Sequence, residues 1–417
     1  MALSLKLNFF LDDTSLFSVV NDPNVSANEL NHDLVLIGGW AHQWKMSFNP
    51  DPTKQAVQIV FTHKKNPGVH PKIYFNNIEV KSVNEHKHLG LILDAKLTFA
   101  FHINEKVKRA TKGLGIIKGF SRFLSVRTLD LIYKLYIRPH LDFCDVIYHV
   151  PCITNPFDSS INLKHLMNTL ERIQYRCALA ITGAWKGTSL NKIYDELGWE
   201  SLTDRRYCRR MFQFYKIQNN LTPAYLRIPV PVVRQNRYCT RSEYELCEIN
   251  CHTEGYKASF YPDSVRSWNR IDPLLRNSVT LGSFKTRLLA SYRSPPKSLY
   301  GINDPIGTRM LFQLRLGLSP LLDHKEKHNF IDTPSNICSN CNLPETLEHF
   351  LLFCTRFTSA RNKLIQDILL VHDDFHSLEP QDKAKFLLYG DSELSFESNN
   401  SVLKITLSFL KDSQRFS

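Results

Sequence analysis

The sequence predicts an α+β fold in which small β-hairpins and one helix are followed by a longer, mostly helical part. Short apolar runs separated by turn-forming residues occupy the first hundred positions. From His102 onwards, apolar residues recur at helical spacing. A cluster of cysteines and one histidine lies near the end. With 417 residues, 43% hydrophobic and 22% charged, the chain has the composition of a folded protein with two or three domains, which excludes a disordered chain.

Hairpins and one helix are predicted for the first hundred residues. LKLNFFLDDTSLFS at 5–18 predicts a hairpin with Asp12 and Asp13 at its turn, and KIYFNNIEVKS at 72–82 predicts another turned at Asn76-Asn77. The spacing of apolar residues predicts a helix over 28–44, stopped by the Asn-Pro-Asp-Pro that begins at position 49. Single strands are predicted over 56–62 and 88–93.

Helices dominate the remainder. Ser125 is a suitable N-cap for a helix over 126–138, and Pro139 is expected to end it. Residues 226–262 contain several prolines and short β-like runs, which indicate a boundary. The other predicted helices cover 163–184, 201–218, 262–276, 283–292 and 308–317.

The charge is unevenly distributed. The net charge is +12, yet the segment from Asp332 to the end holds 8 basic and 12 acidic residues, against 44 and 28 before it. A nucleic-acid-binding class is therefore indicated for the first three quarters, with an ordinary basic protein as the alternative. The ten cysteines are too sparse for a disulfide-stapled secreted protein. No signal peptide or membrane span is expected, so we expect an intracellular protein, cytoplasmic and/or nuclear, without a membrane partner.

The aspartate pair at the first hairpin suggests metal-dependent chemistry. Nucleotidyl transfer uses two divalent ions about 4 Å apart, which carboxylates must hold. A tight turn presents adjacent acids, as Phe10-Leu11-Asp12-Asp13 does here. Adjacent aspartates at a turn are by themselves more often solvated turn formers.

Further motifs accompany this pair. Phe10, Asp12, Asp13 and Thr14 are followed by a helix and then by Trp44, Asn49 and Lys54. The other matching segments are HKHLGLILDAKLTFAFHI at 86–103, IYKLYIRPHLDFC at 132–144, SFYPDSVRSWN at 259–269, LRLGLSPLLDHKEKHNF at 314–330 and LLYG at 387–390. Together they resemble the reverse transcriptases of non-LTR (LINE, jockey-like) retrotransposons, with Leu11 in place of the family's usual alanine.

The resemblance implies roles for individual residues. Asp12 would bind Mg²⁺ with help from Asp13, and Lys54 would protonate the leaving pyrophosphate, although an exposed cation is as good an account of Lys54. Residues 86–103 would grip the primer end. The family also needs an aspartate from an earlier palm strand and fingers, and nine residues without an acid precede Phe10. The chain is therefore expected to be a truncated C-terminal part that is inactive alone.

A basic helical stretch occupies the place of the polymerase thumb. Between Ile103 and His140 there are nine basic residues against Glu105 and Asp130. Such a stretch would follow the phosphates of a template–primer duplex of RNA and DNA, although a charge run is more often a solvated helix face. The expected contacts are Lys106, Lys108, Arg109, Lys112, Lys118 and Arg122.

A second basic set lies on the helix predicted over 201–218. It comprises Arg205, Arg206, Arg209 and Arg210, with i, i+4 spacing. Tyr207 and Tyr215 near it are expected to pack in the core.

The late cluster has the spacing of a metal site. Cys338-x2-Cys341-x7-His349-x4-Cys354 offers four ligands suited to tetrahedral Zn²⁺. A complete four-ligand set predicts a structural site, with free buried thiols as the alternative. The spacing also resembles the C-terminal knuckle of the same retrotransposon family.

Four regions follow from these predictions. They are a partial palm with the primer-grip segment at 1–103, a helical thumb at 104–225, a connection at 226–305, and a helical end at 306–417 with a CCHC zinc knuckle at 338–354. The expected function is that of a truncated RNA-directed DNA polymerase. The rivals are a non-catalytic nucleic-acid-binding protein derived from the element and a decayed gene product without a role.

Overall fold

The structure is a computed structural model. The residues that it describes are 6–10, 13–49, 51, 56–64, 68–149, 163–227, 245–292, 301–332 and 335–416. Contacts divide the chain into two compact units, the first made of residues 1–105, 150–166 and 252–258 and the second of the rest. The described part is mostly helical with small sheets, so the predicted mixture of helix and sheet is confirmed.

The first unit contains the strands found in the described residues. They are β1 (Lys6–Phe10), β2 (Asp13–Phe17), β3 (Val57–Gln58), β4 (Tyr74–Phe75), β5 (Ile78–Glu79), β6 (Lys81–Ser82), β7 (Glu85–His88) and β8 (Leu91–Asp94). The pairs β1–β2, β4–β5 and β7–β8 are antiparallel, and β3 pairs with β6 in parallel. The predicted hairpins at 5–18 and 72–82 are confirmed.

Three predictions for this unit need correction. Helix α1 (Pro23–Gln43) begins five residues before the predicted start, because Asp22 caps it by accepting a hydrogen bond from the Asn24 amide at 2.8 Å. The strand predicted over 56–62 is reduced to β3. The single strand predicted over 88–93 is wrong, because Leu89 and Gly90 adopt positive φ angles of 47° and 85° and turn the chain into the β7–β8 hairpin.

Helices make up most of the second unit. The helices that begin before residue 228 are α2 (Ala100–Phe120), α3 (Val126–Ile132), α4 (Arg138–Asp142), α5 (Asp145–Tyr148), α6 (Leu163–Thr182), α7 (Leu190–Leu197) and α8 (Leu202–Gln218). Those that follow are α9 (Glu254–Ala258), α10 (Phe260–Arg270), α11 (Pro273–Arg276), α12 (Leu281–Ala290), α13 (Pro305–Arg315), α14 (Leu322–Lys327), α15 (Thr358–Leu369), α16 (Pro380–Tyr389) and α17 (Phe396–Asp412). Of these helices, α9 lies in the first unit, and α2 and α6 begin in it.

The prediction that Pro139 ends a helix is wrong. Ser125 caps α3 as expected, but a π-helical turn (Tyr133–Ile137) then leads directly into α4, which contains Pro139 near its start. Proline has no N–H and its ring crowds the carbonyl four residues earlier, so a wider turn can carry the chain past it. The backbone of α2 also passes close to this turn, since a Cβ atom on Gly113 would lie 2.6 Å from Ile137 Cγ1.

A buried polar network joins α3 and the π-helical turn to α6 and to the segment between α7 and α8. The ring of Tyr133 stacks on Trp199 at 3.9 Å between centroids, and its hydroxyl donates to Gln174 Oε1 at 2.6 Å. Trp199 Nε1 donates to Asp130 Oδ1 at 2.8 Å, and Gln174 Nε2 donates to the Glu200 carbonyl at 2.8 Å. Each of these buried polar atoms therefore has a partner, as a stable core requires.

A second cluster fixes α8 against α10 and α12. Phe214, Tyr215, Trp268 and Phe284 meet there, with Tyr215 stacked on Phe284 at 4.6 Å. Tyr215 is almost fully buried and Tyr207 packs at the edge, so the expectation that both tyrosines are packing residues is confirmed.

A buried ion pair ties the LLYG segment to the helices around it. Arg315 Nη1 lies 3.1 Å from Glu196 Oε2, and both side chains are almost inaccessible. The same guanidinium donates to the Leu388 carbonyl through Nε at 2.9 Å and lies over the Tyr389 ring. Helices α7, α13 and α16 thus share one charged centre. No helix in the described residues is both long and apolar enough to cross a membrane.

Candidate metal centre and nucleic-acid interface

A short hairpin at 336–345 carries the first two cysteines. Ile337 and Pro344 form an isolated antiparallel bridge, and the Cys338 amide donates to the Leu343 carbonyl at 2.8 Å. Asn342 adopts a positive φ of 55° and its amide donates to the Cys338 carbonyl at 3.0 Å. Asparagine tolerates this conformation better than most residues. The tight turn brings Cys341 back towards Cys338.

A π-helical turn carries the other two ligands. Residues His349–Phe353 form the turn, and the Cys354 amide donates to the His349 carbonyl at 2.7 Å. An i to i+5 bond widens the helix, so a residue five positions on returns to the same side. This explains how the x4 spacing between His349 and Cys354 lets both face one point.

The four side chains converge. The ligand atoms of Cys338, Cys341, His349 and Cys354 all lie within 4.8 Å of one another. Cys354 Sγ is 3.8 Å from the sulfurs of both Cys338 and Cys341. A tetrahedral Zn²⁺ with Zn–S bonds of about 2.3 Å requires sulfur–sulfur separations of about 3.8 Å. The arrangement therefore fits such an ion.

The histidine supports the same interpretation. His349 is 5% exposed, and its Nε2 atom has no hydrogen-bond partner among the described residues. A buried ring nitrogen without a partner is costly unless something else satisfies it. A metal ion bound by the imidazole would do so.

The residues after the last ligand favour the thiolate form of Cys341. The Thr355 hydroxyl lies 3.3 Å from Cys341 Sγ and the Thr355 amide donates to the same sulfur at 3.4 Å. These hydrogen bonds lower the pKa of the Cys341 thiol to about 6, and the bond from the Thr355 hydroxyl has the larger effect. Burial raises the pKa of the neighbouring Cys354 thiol. A cation shared by the sulfurs would stabilise the thiolate that burial disfavours.

The hairpin is anchored to the helical end of the chain. Arg415 forms two hydrogen bonds of 2.7 Å with the Glu345 carboxylate, which also accepts from the Leu322 amide at 2.9 Å. Burial opposes ionisation of Glu345, but the Arg415 hydrogen bonds and the amide lower its pKa overall. Phe350, inside the π-helical turn, packs against Phe409 of α17.

Of the three residues predicted to act in catalysis, only Asp13 lies among the described residues. Asp12 and Lys54 lie outside the described residues. Asp13 opens β2 opposite Phe10, and this backbone pairing is what the structure describes of it. Their catalytic roles stay predictions.

The segment expected to grip the primer is held by its own side chains. The Asp94 carboxylate accepts from the Thr98 amide at 2.9 Å, the Thr98 hydroxyl at 3.1 Å and the Phe99 amide at 2.7 Å. His102 Nδ1 accepts from the Ile92 amide at 3.3 Å. Asp94 and His102 thus fix the shape of the loop that joins β8 to α2.

The basic residues of α2 differ in exposure. Lys108, Arg109, Lys112 and Lys118 are exposed on α2, and Arg122 is exposed just beyond its end. Lys106 is 9% exposed, and its ammonium lies 3.9 Å from the centroid of the Phe143 ring. Lys106 is therefore a packing residue in this structure, whereas the other five side chains are exposed.

The second basic set is occupied by internal ion pairs. Arg205 and Arg209 lie 3.1 and 3.4 Å from Asp142, and Arg209 also lies 3.2 Å from Asp145. Arg210 lies 2.6 Å from Asp263. Burial is the largest of the effects that raise the pKa of Asp145 to about 6. These charges hold α8 to its neighbours. Sequence reasoning missed them because the acids lie far away in the chain.

Comparison with known proteins gives two partial matches. The chain is 26% identical over 175 residues to the probable RNA-directed DNA polymerase from transposon X-element of Drosophila melanogaster, over 39% of this chain and 17% of that protein. It is 25% identical over 128 residues to the probable RNA-directed DNA polymerase from transposon BS of the same organism, over 31% of this chain and 14% of that protein. Part of the chain is thus similar in sequence to transposon-encoded RNA-directed DNA polymerases. The matches span about a sixth of the length of these relatives. No family model matches the chain, and no solved structure matches it.

Proposed function

We propose that these 417 residues correspond to the C-terminal part of a non-LTR retrotransposon reverse transcriptase. The observation that carries the proposal is the sequence match to two transposon RNA-directed DNA polymerases. The first hairpin supports it, because β1 and β2 pair in antiparallel register with Asp13 opening β2 opposite Phe10, next to Asp12 in the sequence. Asp12 and Asp13 would hold Mg²⁺, with Lys54 as the general acid.

Polymerase activity would require groups from outside this polypeptide. The reverse transcriptases that the sequence resembles also use an aspartate from an earlier palm strand and a surface that holds the template and the nucleotide. We expect no primer extension by the purified polypeptide on a primed RNA template with Mg²⁺ or Mn²⁺. Robust extension that Asp12→Asn abolishes, and that the control Asp22→Asn leaves intact, would overturn this part of the proposal. A continuous reading frame upstream of Met1 that encodes the third carboxylate would support it.

The exposed face of α2 would bind the template–primer duplex. Lys108 and Lys112 lie one helical turn apart, and neither forms an ion pair with a carboxylate among the described residues. Phosphate neutralisation makes binding salt-dependent and tolerant of sequence. Changing Lys108, Arg109 and Lys112 to Ala should lower the slope of log affinity against log salt by about 2.7 for an RNA–DNA duplex, if each contacts one phosphate. Equal binding by this variant and by a control with Lys363, Lys385 and Lys404 changed to Ala would refute the assignment.

The Cys/His cluster would hold one structural Zn²⁺. Three sulfurs and one imidazole complete a tetrahedral set, so no open position is left for catalysis. The ion would order the hairpin at 336–345 and fix it to the π-helical turn. Metal analysis of the purified protein tests this directly.

A non-catalytic nucleic-acid-binding protein derived from such an element is the alternative. The exposed basic face of α2 and the metal cluster favour it, since neither depends on the aspartate pair. Duplex binding that persists in Asp12→Asn distinguishes binding from catalysis, and extension activity in a longer polypeptide would decide for the polymerase.

A further inference from the structure

The C-terminal ends of α2 and α6 meet a side chain of α13 at one corner of the second unit. Arg309 of α13 donates from Nη1 to the Ser121 carbonyl, just past the end of α2, at 3.2 Å. The same atom donates to the Ala180 carbonyl, in the last turn of α6, also at 3.2 Å. Helix C-termini attract cations, so the guanidinium joins the two helix ends. Lys118, Arg122, Arg176 and Arg309 are here called the basic corner.

The positive charge of the basic corner is not neutralised internally. Arg176 lies next to Cys177 and one helical turn before Ala180 on α6, and the buried Cys177 thiol is also near Lys118 of α2. Burial first, and then the nearby Arg122, lowers the pKa of Arg309. Among the described residues, none of the four cations forms an ion pair with a carboxylate. An anion placed here would relieve this repulsion.

Exposed aromatic rings lie beside these cations. Phe120 ends α2 and is 52% exposed, and Phe123, next to Arg122, is 75% exposed. Proteins that bind single-stranded nucleic acids combine exposed aromatic rings with arginines, because the bases stack on the rings and the cations contact the phosphates. In a duplex the base faces are covered by neighbouring base pairs, so they are accessible to such rings only at the duplex end.

We infer that the basic corner binds a single-stranded nucleic acid, with bases on Phe120 and Phe123 and phosphates on Lys118, Arg122 and Arg176. This inference rests on the proposed function, which places the duplex at Lys108–Lys112 of the same helix. Six residues of α2 separate Lys112 from Lys118, about 9 Å along the helix axis. A single strand that continues from a duplex bound at Lys112 would need to extend only about that far along the axis to reach the corner.

The test measures fluorescence anisotropy of labelled oligouridine RNA and oligothymidine DNA with the full chain. One variant carries Arg122→Glu and Arg176→Glu, and its control carries Lys385→Glu and Lys404→Glu, which change the net charge equally on α16 and α17. A second variant carries Phe123→Ala. Arg309 is left unchanged because its hydrogen bonds support the helix ends. Circular dichroism of every variant checks that it is folded.

We expect the Arg122/Arg176 variant to weaken single-strand binding at least tenfold, with a salt slope lower by about 1.4 for two lost phosphate contacts. Phe123→Ala should weaken it roughly 5- to 150-fold, the effect of one stacked base. Affinity equal to that of the control in either variant overturns the inference. The RNA and DNA arms show which strand is preferred. A separate titration with an RNA–DNA duplex and the Lys108/Arg109/Lys112 variant shows whether the proposed function fails independently.

Discussion

Replacing Cys341 by Ser should release the metal and undo the hairpin at 336–345. The hairpin buries little apolar surface, since Ile337 is 41% and Leu343 is 54% exposed. Fixing the backbone of its ten residues costs on the order of 10–20 kcal/mol. A structural Zn²⁺ in a small unit contributes roughly 10–16 kcal/mol. The two magnitudes are similar, so without the ion the hairpin should lose its order while the helices packed around Phe350 persist.

Two measurements test this expectation. Metal analysis should find one Zn²⁺ per chain in the native protein and none in Cys341→Ser. Hydrogen exchange should lose protection at 336–345 in the variant, and in the native protein after chelation, with α2 and α8 unchanged. Cys247→Ser is the matched control, because this cysteine lies outside the cluster. Metal content or protection that Cys341→Ser leaves unchanged would refute the reasoning.

Three other predictions concern the stability of the helical part, measured by urea denaturation. Arg315→Met should cost about 3–5 kcal/mol because it leaves Glu196 charged and buried; adding Glu196→Gln should recover part of the loss, and no recovery would argue against the pair. Gly113→Ala should destabilise by roughly 1–3 kcal/mol through its clash with the π-helical turn, whereas Gly119→Ala, with open space around it, should stabilise by up to about 1 kcal/mol. Burial is the main reason why the pKa of His149 is lowered from 6.5 to about 3. As the pH drops below 6.5, His149 is therefore protonated in the unfolded chain but not in the folded one, and the free energy of unfolding decreases. Between pH 7 and pH 5 this lowers the free energy of unfolding of the native protein by about 2 kcal/mol, and His149→Gln should remove that decrease. A variant with the same pH dependence as the native protein would contradict this prediction.

Local patterns predicted the elements whose causes are local. Ser125 caps its helix as its sequence position predicts. Asn76-Asn77 turns its hairpin because both residues tolerate positive φ. The prediction failed at 88–93, where Leu89 adopts a positive φ that its side chain does not favour. The pairing of His88 with Leu91 leaves Leu89 and Gly90 as the two-residue turn of the hairpin, where this conformation is required.

The candidate metal site shows the same division. Ligand type and spacing identified Cys338, Cys341, His349 and Cys354 from the sequence. The π-helical turn that aligns the last two, and the Thr355 bonds to Cys341, appear only in the folded chain. Nothing in a local window indicates an i to i+5 hydrogen bond.

The sequence by itself determined which residue types are present and where helices and turns begin, because capping and turn formation depend on a few neighbouring residues. The tertiary structure decided which charges are available. Arg205, Arg209 and Arg210 have the same helical spacing that marks α2 as basic, but their charges are used by Asp142, Asp145 and Asp263. A buried charge must be paired with whichever opposite charge the fold brings to it, and a sequence pattern carries no information on partners fifty or more residues away.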